Sequence, residues 1–153
     1  MKKLFSLILI FCFICVLAPE NIHASTLTDE VTEIIYQDDN YIITKTQTVY
    51  ETFPIARITK SKTASQKYDI MNTSGTVMAT YTLTGTFSYS GSSATCTSAN
   101  CTTSTNGTWH FTSKNAYAQR NQAIGSFSVE HITSGQIISD TLTLTCSPTG
   151  AIS

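Results

Sequence analysis

The pattern of apolar and polar positions is clearest at Val77–Tyr89, VMATYTLTGTFSY. Val77, Ala79, Tyr81, Leu83, Phe87 and Tyr89 occupy odd positions, and Thr80, Thr82, Thr84, Thr86 and Ser88 even ones. Side chains alternate faces along a strand, so this stretch is one strand with a buried and a hydroxylated face. Gly85 falls in the inward row, where a glycine marks a bulge, a bend or a close backbone approach. Gln66–Met71 is a shorter strand, and Asn72-Thr73-Ser74-Gly75 joins the two as a hairpin. Ser90–Asn106 reads as a polar loop and Asn115–Gln122 as polar and irregular, with a short strand TWHFTS between them. In that strand Trp109 and Phe111 share one face, and His110 and Thr112 the other. Ala123–Thr133 and Gln136–Cys146 flank Ser134-Gly135 as a second hairpin, with Ile138, Leu142, Leu144 and Cys146 inward and Thr141, Thr143 and Thr145 outward. No amphipathic helix is readable after residue 54. Short strands separated by turn residues predict an all-β, antiparallel β-sandwich, Ig-like or similar, of about six or seven strands.

The N-terminal third is less regular. Val31–Tyr36 and Tyr41–Tyr50 are β-prone around Gln37-Asp38-Asp39-Asn40, which predicts a hairpin; an arm or short helix at Leu27–Tyr36 competes. This segment, 25–55, is acidic (Asp29, Glu30, Glu33, Asp38, Asp39, Glu51 against Lys45), and a basic patch of Arg57, Lys60, Lys62 and Lys67 follows Pro54. Ahead of it, Lys2-Lys3, an uncharged apolar run from Leu4 to Leu17, and Ala24 before Ser25 have the layout of a secretory signal peptide. The run is about 14 residues, short of the ~20 that span a bilayer, so no stable membrane insertion is expected after cleavage. The expected organisation is signal peptide 1–24, acidic arm or hairpin 25–55 and sandwich domain 56–153, secreted. The formal net charge of −1 falls to about −2 once Lys2, Lys3 and Glu20 leave with the signal, which argues against a nucleic-acid partner held by bulk electrostatics.

Of the five cysteines, Cys12 and Cys15 leave with the signal. Cys96, Cys101 and Cys146 remain in a compartment that favours disulfides. In the chain-entropy picture a Cys96–Cys146 bridge closes about 51 residues and stabilises by about 4 kcal/mol, against about 2 kcal/mol for Cys96–Cys101. Cys96–Cys146 is the favoured pair and Cys101–Cys146 the next, leaving Cys101 in the first case as a free or intermolecular thiol. Three cysteines without a CxxC spacing make a zinc site weak, and no metal or cofactor is expected.

Catalytic signals are absent: no GxSxG, HExxH or P-loop pattern occurs. His131 with Asp140 across the last hairpin, or Cys101 with His110, are the only constellations to weigh, and a polar pair is the plainer reading of the first. A binding role fits better. Exposed aromatics stack on sugar rings; Tyr36, Tyr41, Tyr50 and Tyr117 are the tyrosines that could be exposed, and Trp109 and Tyr117 are the candidates, although the alternation with Phe111 places Trp109 in the core. The outward threonine rows are either plain strand exteriors or a flat hydrogen-bonding surface. The expectation is a non-enzymatic surface or matrix module for a wall glycan, a host glycan or a protein partner. The alternative is a secreted effector, toxin or inhibitor acting on a partner protein.

Several segments carry a resemblance: Lys60–Ser65 (KSKTAS), Gly75-Thr76-Val77, Leu83–Tyr89 (LTGTFSY), Cys96-Thr97, Trp109 and Thr141–Ser153 (TLTLTCSPTGAIS). Over roughly residues 57–153 the chain resembles a group of uncharacterised small secreted proteins of Gram-positive, clostridia-type bacteria. The resemblance implies a secreted β-domain and carries no activity, ligand or catalytic residue. The Lys/Ala/Ser-rich segment usual in that group before the penultimate strand is here Ala116–Asn121 (AYAQRN). Cys101 is an addition relative to the group, which favours Cys96–Cys146 as the basic pair.

Overall fold

β-branched and aromatic residues dominate the strands, and alternation sets which of their faces is buried. The computed structural model describes residues 25–52 and 59–153. The signal peptide with Cys12 and Cys15, the 55/56 boundary, Pro54 and Arg57 lie outside the described residues. Eight strands follow in order: β1 (Ser25–Gln37), β2 (Tyr41–Thr52), β3 (Lys60–Asn72), β4 (Val77–Tyr89), β5 (Ala94–Thr105), β6 (Trp109–Gln119), β7 (Gln122–His131) and β8 (Gln136–Thr145). They form a five-stranded sheet, β1-β2-β3-β4-β5, and a three-stranded sheet, β6-β7-β8, antiparallel throughout. The all-β antiparallel sandwich expected from the pattern is the architecture found. Among the described residues it has eight strands rather than six or seven, and the strands of each sheet lie in sequence order, without the crossovers of an immunoglobulin fold.

β4 spans Val77–Tyr89 as the alternation requires, with Ala79, Tyr81, Leu83, Phe87 and Tyr89 buried. Its partner β3 extends beyond Gln66–Met71 in both directions. The turn between them closes through Gly75 N–H to Asn72 O at 2.9 Å, with Gly75 at a φ of 82°. The Asn72 side chain accepts from the Thr76 amide at 2.8 Å, so the local sequence specifies the turn.

Ser90–Asn106 is not a loop: most of it is β5, paired along β4. Its side chains are small or hydroxylated, and Cys96 alone is fully buried, so an edge strand of this kind lacks the apolar alternation that announces a strand. Asn115–Gln122 is likewise not irregular. It supplies the end of β6, a tight turn at Arg120-Asn121, where Arg120 adopts φ 56°, and the start of β7. Residues 25–52 of the acidic segment are the β1–β2 hairpin, and it is part of the same sheet, because β2 pairs along the length of β3 and buries Ile43 and Val49. At its turn Asp38 accepts from the Tyr36 hydroxyl (2.7 Å) and from the Tyr41 and Asn40 amides (2.7 and 2.8 Å), in that order the reasons its carboxyl sits below the usual range.

The core lies where β3 and β4 face β7 and β8. Phe127 is its centre: it stacks on Tyr81 at 4.7 Å and meets Tyr68 and Phe111 edge-on at 4.9 and 6.0 Å. Such pairs contribute about 0.5–1.5 kcal/mol each beyond their buried area. Two glycines let the layers approach. A Cβ on Gly85 would lie 2.7 Å from that of Ala123, and a Cβ on Gly125 would collide with the Tyr81 hydroxyl. The C-terminal tail folds back on β8: Cys146 bridges to Ile152, and Thr145 and Ser153 exchange backbone hydrogen bonds. Lys62 Nζ donates to Gly150 O at 2.9 Å, and the Tyr89 ring lies against Gly150.

Candidate functional site

The largest organised polar feature is the outer face of the five-stranded sheet. Opposed residues on antiparallel strands share a face, so the register defines transverse rows. One row runs Thr32, Thr46, Lys67, Thr82, Thr102, and the next Glu30, Thr48, Ser65, Thr84, Asn100. On either side lie Tyr50, Thr63, Thr86, Ser98 and Ile34, Thr44, Asp69, Thr80, Ser104. Strand geometry spaces these side chains about 4.8 Å across the strands and about 6.8 Å along them.

Few hydroxyls on this face are tied down. Thr32 Oγ1 and Thr46 Oγ1 share a hydrogen bond at 2.9 Å, and Thr80 Oγ1 donates to Asp69 Oδ1 at 2.6 Å. Asp69, though buried, is neutralised by Lys67 Nζ at 2.6 Å. Of the described residues of the basic patch, Lys67 is paired with Asp69, Lys62 is held by the tail and by the Tyr89 ring, 5.6 Å from its centroid, and Lys60 is exposed.

The expected glycan-stacking pair is not assembled. Trp109 is 2 % exposed and meets Tyr41 edge-on at 5.4 Å, so its ring faces the core and no sugar reaches it. Burial of the apolar row of β6 decided this, as its alternation with Phe111 foretold. Tyr117 is exposed, on the outer face of the other sheet opposite Ile124. Tyr50, one of the tyrosines weighed from the sequence as exposed stacking aromatics, is exposed on the hydroxyl face.

The histidines do structural work. Both His131 ring nitrogens are engaged by hydroxyls, Thr108 at 2.6 Å and Ser134 at 2.7 Å, beside the Trp109 ring. Asp140 pairs with Phe127 and His131 with Gln136, so the two are not cross-strand partners. His110 faces Glu130 at 3.8 Å on the opposite sheet from Cys101, which pairs with Leu83 and touches the Tyr81 hydroxyl. Neither constellation forms a catalytic pair.

Cys96, Cys101 and Cys146 are free thiols in the structure. Cys96 and Cys146 are buried, and their amides donate to the consecutive carbonyls of Arg120 and Asn121 at 2.7 and 3.0 Å, so both flank one turn. Burial pushes both thiols above their usual pKa, and for Cys146 the nearby Lys62 opposes the shift while Cys96 adds to it. Neither is a ready nucleophile. Among the described residues no three His, Cys, Asp or Glu converge as metal ligands. No helix there is long and apolar enough to cross a membrane.

Neither a family model, nor a curated protein, nor a solved structure matches the chain.

Proposed function

We propose that the protein is an exported, non-enzymatic interaction module that lies against a repeating polar surface, a cell-wall or host glycan, through the outer face of its five-stranded sheet. The observation that carries this is the in-register array of hydroxyls over β2, β3, β4 and β5. A single hydrogen bond contributes about 0.5–1.5 kcal/mol net, so a polar face gains affinity by repetition, and a glycan offers matching hydroxyls at repeating intervals. Tyr50, at the edge of the array, adds a stacking surface.

Export supplies the oxidising compartment for a Cys96–Cys146 disulfide. The two thiols give up two protons and two electrons to a dithiol-oxidising partner, and the bridge ties the end of β8 to the start of β5. Cys101 then stays a single thiol against Tyr81.

The second reading, an effector acting on a partner protein, draws on β1, which is exposed along all thirteen residues and carries Leu27, Val31, Ile34, Ile35 and Tyr36. Sedimentation with purified peptidoglycan, insoluble β-glucan and host matrix separates the readings. Retention on at least one surface is expected; recovery in the supernatant from all of them would overturn the glycan reading.

A further inference from the structure

The inward face of the five-stranded sheet carries polar residues where its pattern calls for apolar ones. Along β2 the inward side chains are Tyr41, Ile43, Lys45, Gln47 and Val49, and opposite them on β3 lie Ile70, Tyr68, Gln66 and Ala64. Ile43, Val49, Ile70, Tyr68 and Ala64 belong to the buried core. Between them the register assembles two adjacent rows, Glu33–Lys45–Tyr68 and Val31–Gln47–Gln66. The same rows continue into Tyr81 and Leu83, which are fully buried. A polar side chain at a position that alternation turns inward gives up hydration, and such breaks in the pattern mark functional sites.

These polar groups do not satisfy one another. Gln66 is 5 % exposed; its Nε2 donates to Gln47 Oε1 at 3.4 Å, and its Oε1 has no hydrogen-bond partner among the described residues. Turning both amides end for end reverses that bond and leaves Nε2 over instead, so one polar atom is unmatched in either orientation. Glu33 and Lys45 are register partners across the β1–β2 ladder, yet no ion pair joins them among the described residues. All four side chains, with Val31, border one cavity of about 250 Å³. Lys45 and Gln47 are half-buried in its wall, and Val31 and Glu33, on the exposed strand β1, form its rim.

We propose that this cavity binds a small zwitterion of the amino-acid class, a free amino acid or a dipeptide with a small aliphatic side chain. Charge selects the class. Glu33 and Lys45 give the lining one negative and one positive group. A simple anion is attracted by Lys45 and repelled by Glu33, and a simple cation the reverse, whereas a zwitterion offers each a counter-charge. A neutral sugar desolvates both charges without supplying one. The ligand ammonium donates to the Glu33 carboxylate and to Gln66 Oε1, and the ligand carboxylate accepts from Lys45 Nζ and the Gln47 amide. Hydrogen bonds of this charge-assisted kind are the strong ones. Size agrees, because sites for drug-sized ligands start at about 300 Å³ and this cavity is smaller. Val31 supplies an apolar wall for the aliphatic side chain.

The cavity lies on the side of the sheet opposite the hydroxyl array, so this site and the glycan reading can fail separately. The test is titration of the chain from Ser25 with valine and with alanyl-alanine at millimolar concentration, followed by calorimetry and NMR. Acetate, ethylamine and glucose are titrated for comparison. Saturable binding of valine or the dipeptide is expected, with each of the three comparison compounds held about tenfold more weakly or less. Lys45→Met and Glu33→Gln preserve side-chain length at a half-buried and an exposed position. Each is expected to weaken binding about tenfold with unchanged circular dichroism. No saturable binding of either zwitterion, glucose binding as tight as theirs, or unchanged binding in both folded variants would overturn the proposal.

Discussion

Gly85 on β4 and Ala123 on β7 meet across the sandwich so closely that a methyl group on the glycine would lie 2.7 Å from the Ala123 Cβ and 2.8 Å from the Phe87 ring. Both neighbours are buried, and neither is the mobile end of a long side chain. The distance between the sheets is thus set by a missing side chain. Gly85→Ala is expected to destabilise by about 1–3 kcal/mol, the usual cost of overpacking a core. Gly135→Ala, at a turn where an added Cβ meets nothing, serves as the control, with only the strain of its φ of 69° to bear. Chemical denaturation of the two variants checks this. A Gly85→Ala protein as stable as wild type would mean that the layers are not in contact there.

Three buried tyrosines give the fold an alkaline limit. Burial first, then the nearby Asp140, pushes Tyr68 up to about 12; burial first, then the hydrogen bond to Glu51, does the same for Tyr89. Tyr81 is raised as well, by burial and by its contact with Cys101. A group whose pKa is raised by folding stabilises fully below its ordinary value, here near 10, and loses that contribution as pH rises through the folded value. Stability is therefore expected to fall between about pH 10 and 12. Ionisation of these phenols, followed by tyrosinate absorbance, should coincide with loss of the β-sheet circular dichroism. Ionisation of all seven tyrosines with the fold intact would contradict their burial.

The cysteines predict a single connectivity. In protein recovered from the medium of an exporting host, alkylation after denaturation is expected to label Cys101 alone, and digestion to join the Cys96 and Cys146 peptides. Replacing both Cys96 and Cys146 by Ser should cost about 2–4 kcal/mol. Labelling of all three, or a bridge that includes Cys101, would contradict the proposed Cys96–Cys146 pairing.

The sequence was legible where burial is one-sided. β4, the two glycine-centred hairpins and the inward row of β8 follow from alternation alone, because one face of each strand meets the core. β5 was not legible, since its residues are small and polar on both faces and only Cys96 is deeply buried. The β1–β2 hairpin was readable as strands but not as part of the five-stranded sheet, because alternation reports which side chains are apolar and not which strands pair. Trp109 shows the same limit from another side: its face could be read, but the seating against Tyr41 and His131 depends on strands distant in sequence. The outward threonines were all visible one strand at a time. Their union into rows needed the register, which only the pairing supplies.

The hydroxyl face is tested most directly by removing its hydroxyls and leaving its shape. Thr46→Val, Thr82→Val and Thr84→Val together keep the β-branched side chains that suit a strand and delete three central hydrogen-bonding groups of two adjacent rows. The measurement is the fraction of protein retained on the wall or glycan surface that holds the wild type, with circular dichroism to confirm the fold. Retention of the wild type and at least a tenfold weaker hold by the folded triple variant are the expected results. Equal retention of the two proteins would contradict the assignment of this face as the binding surface.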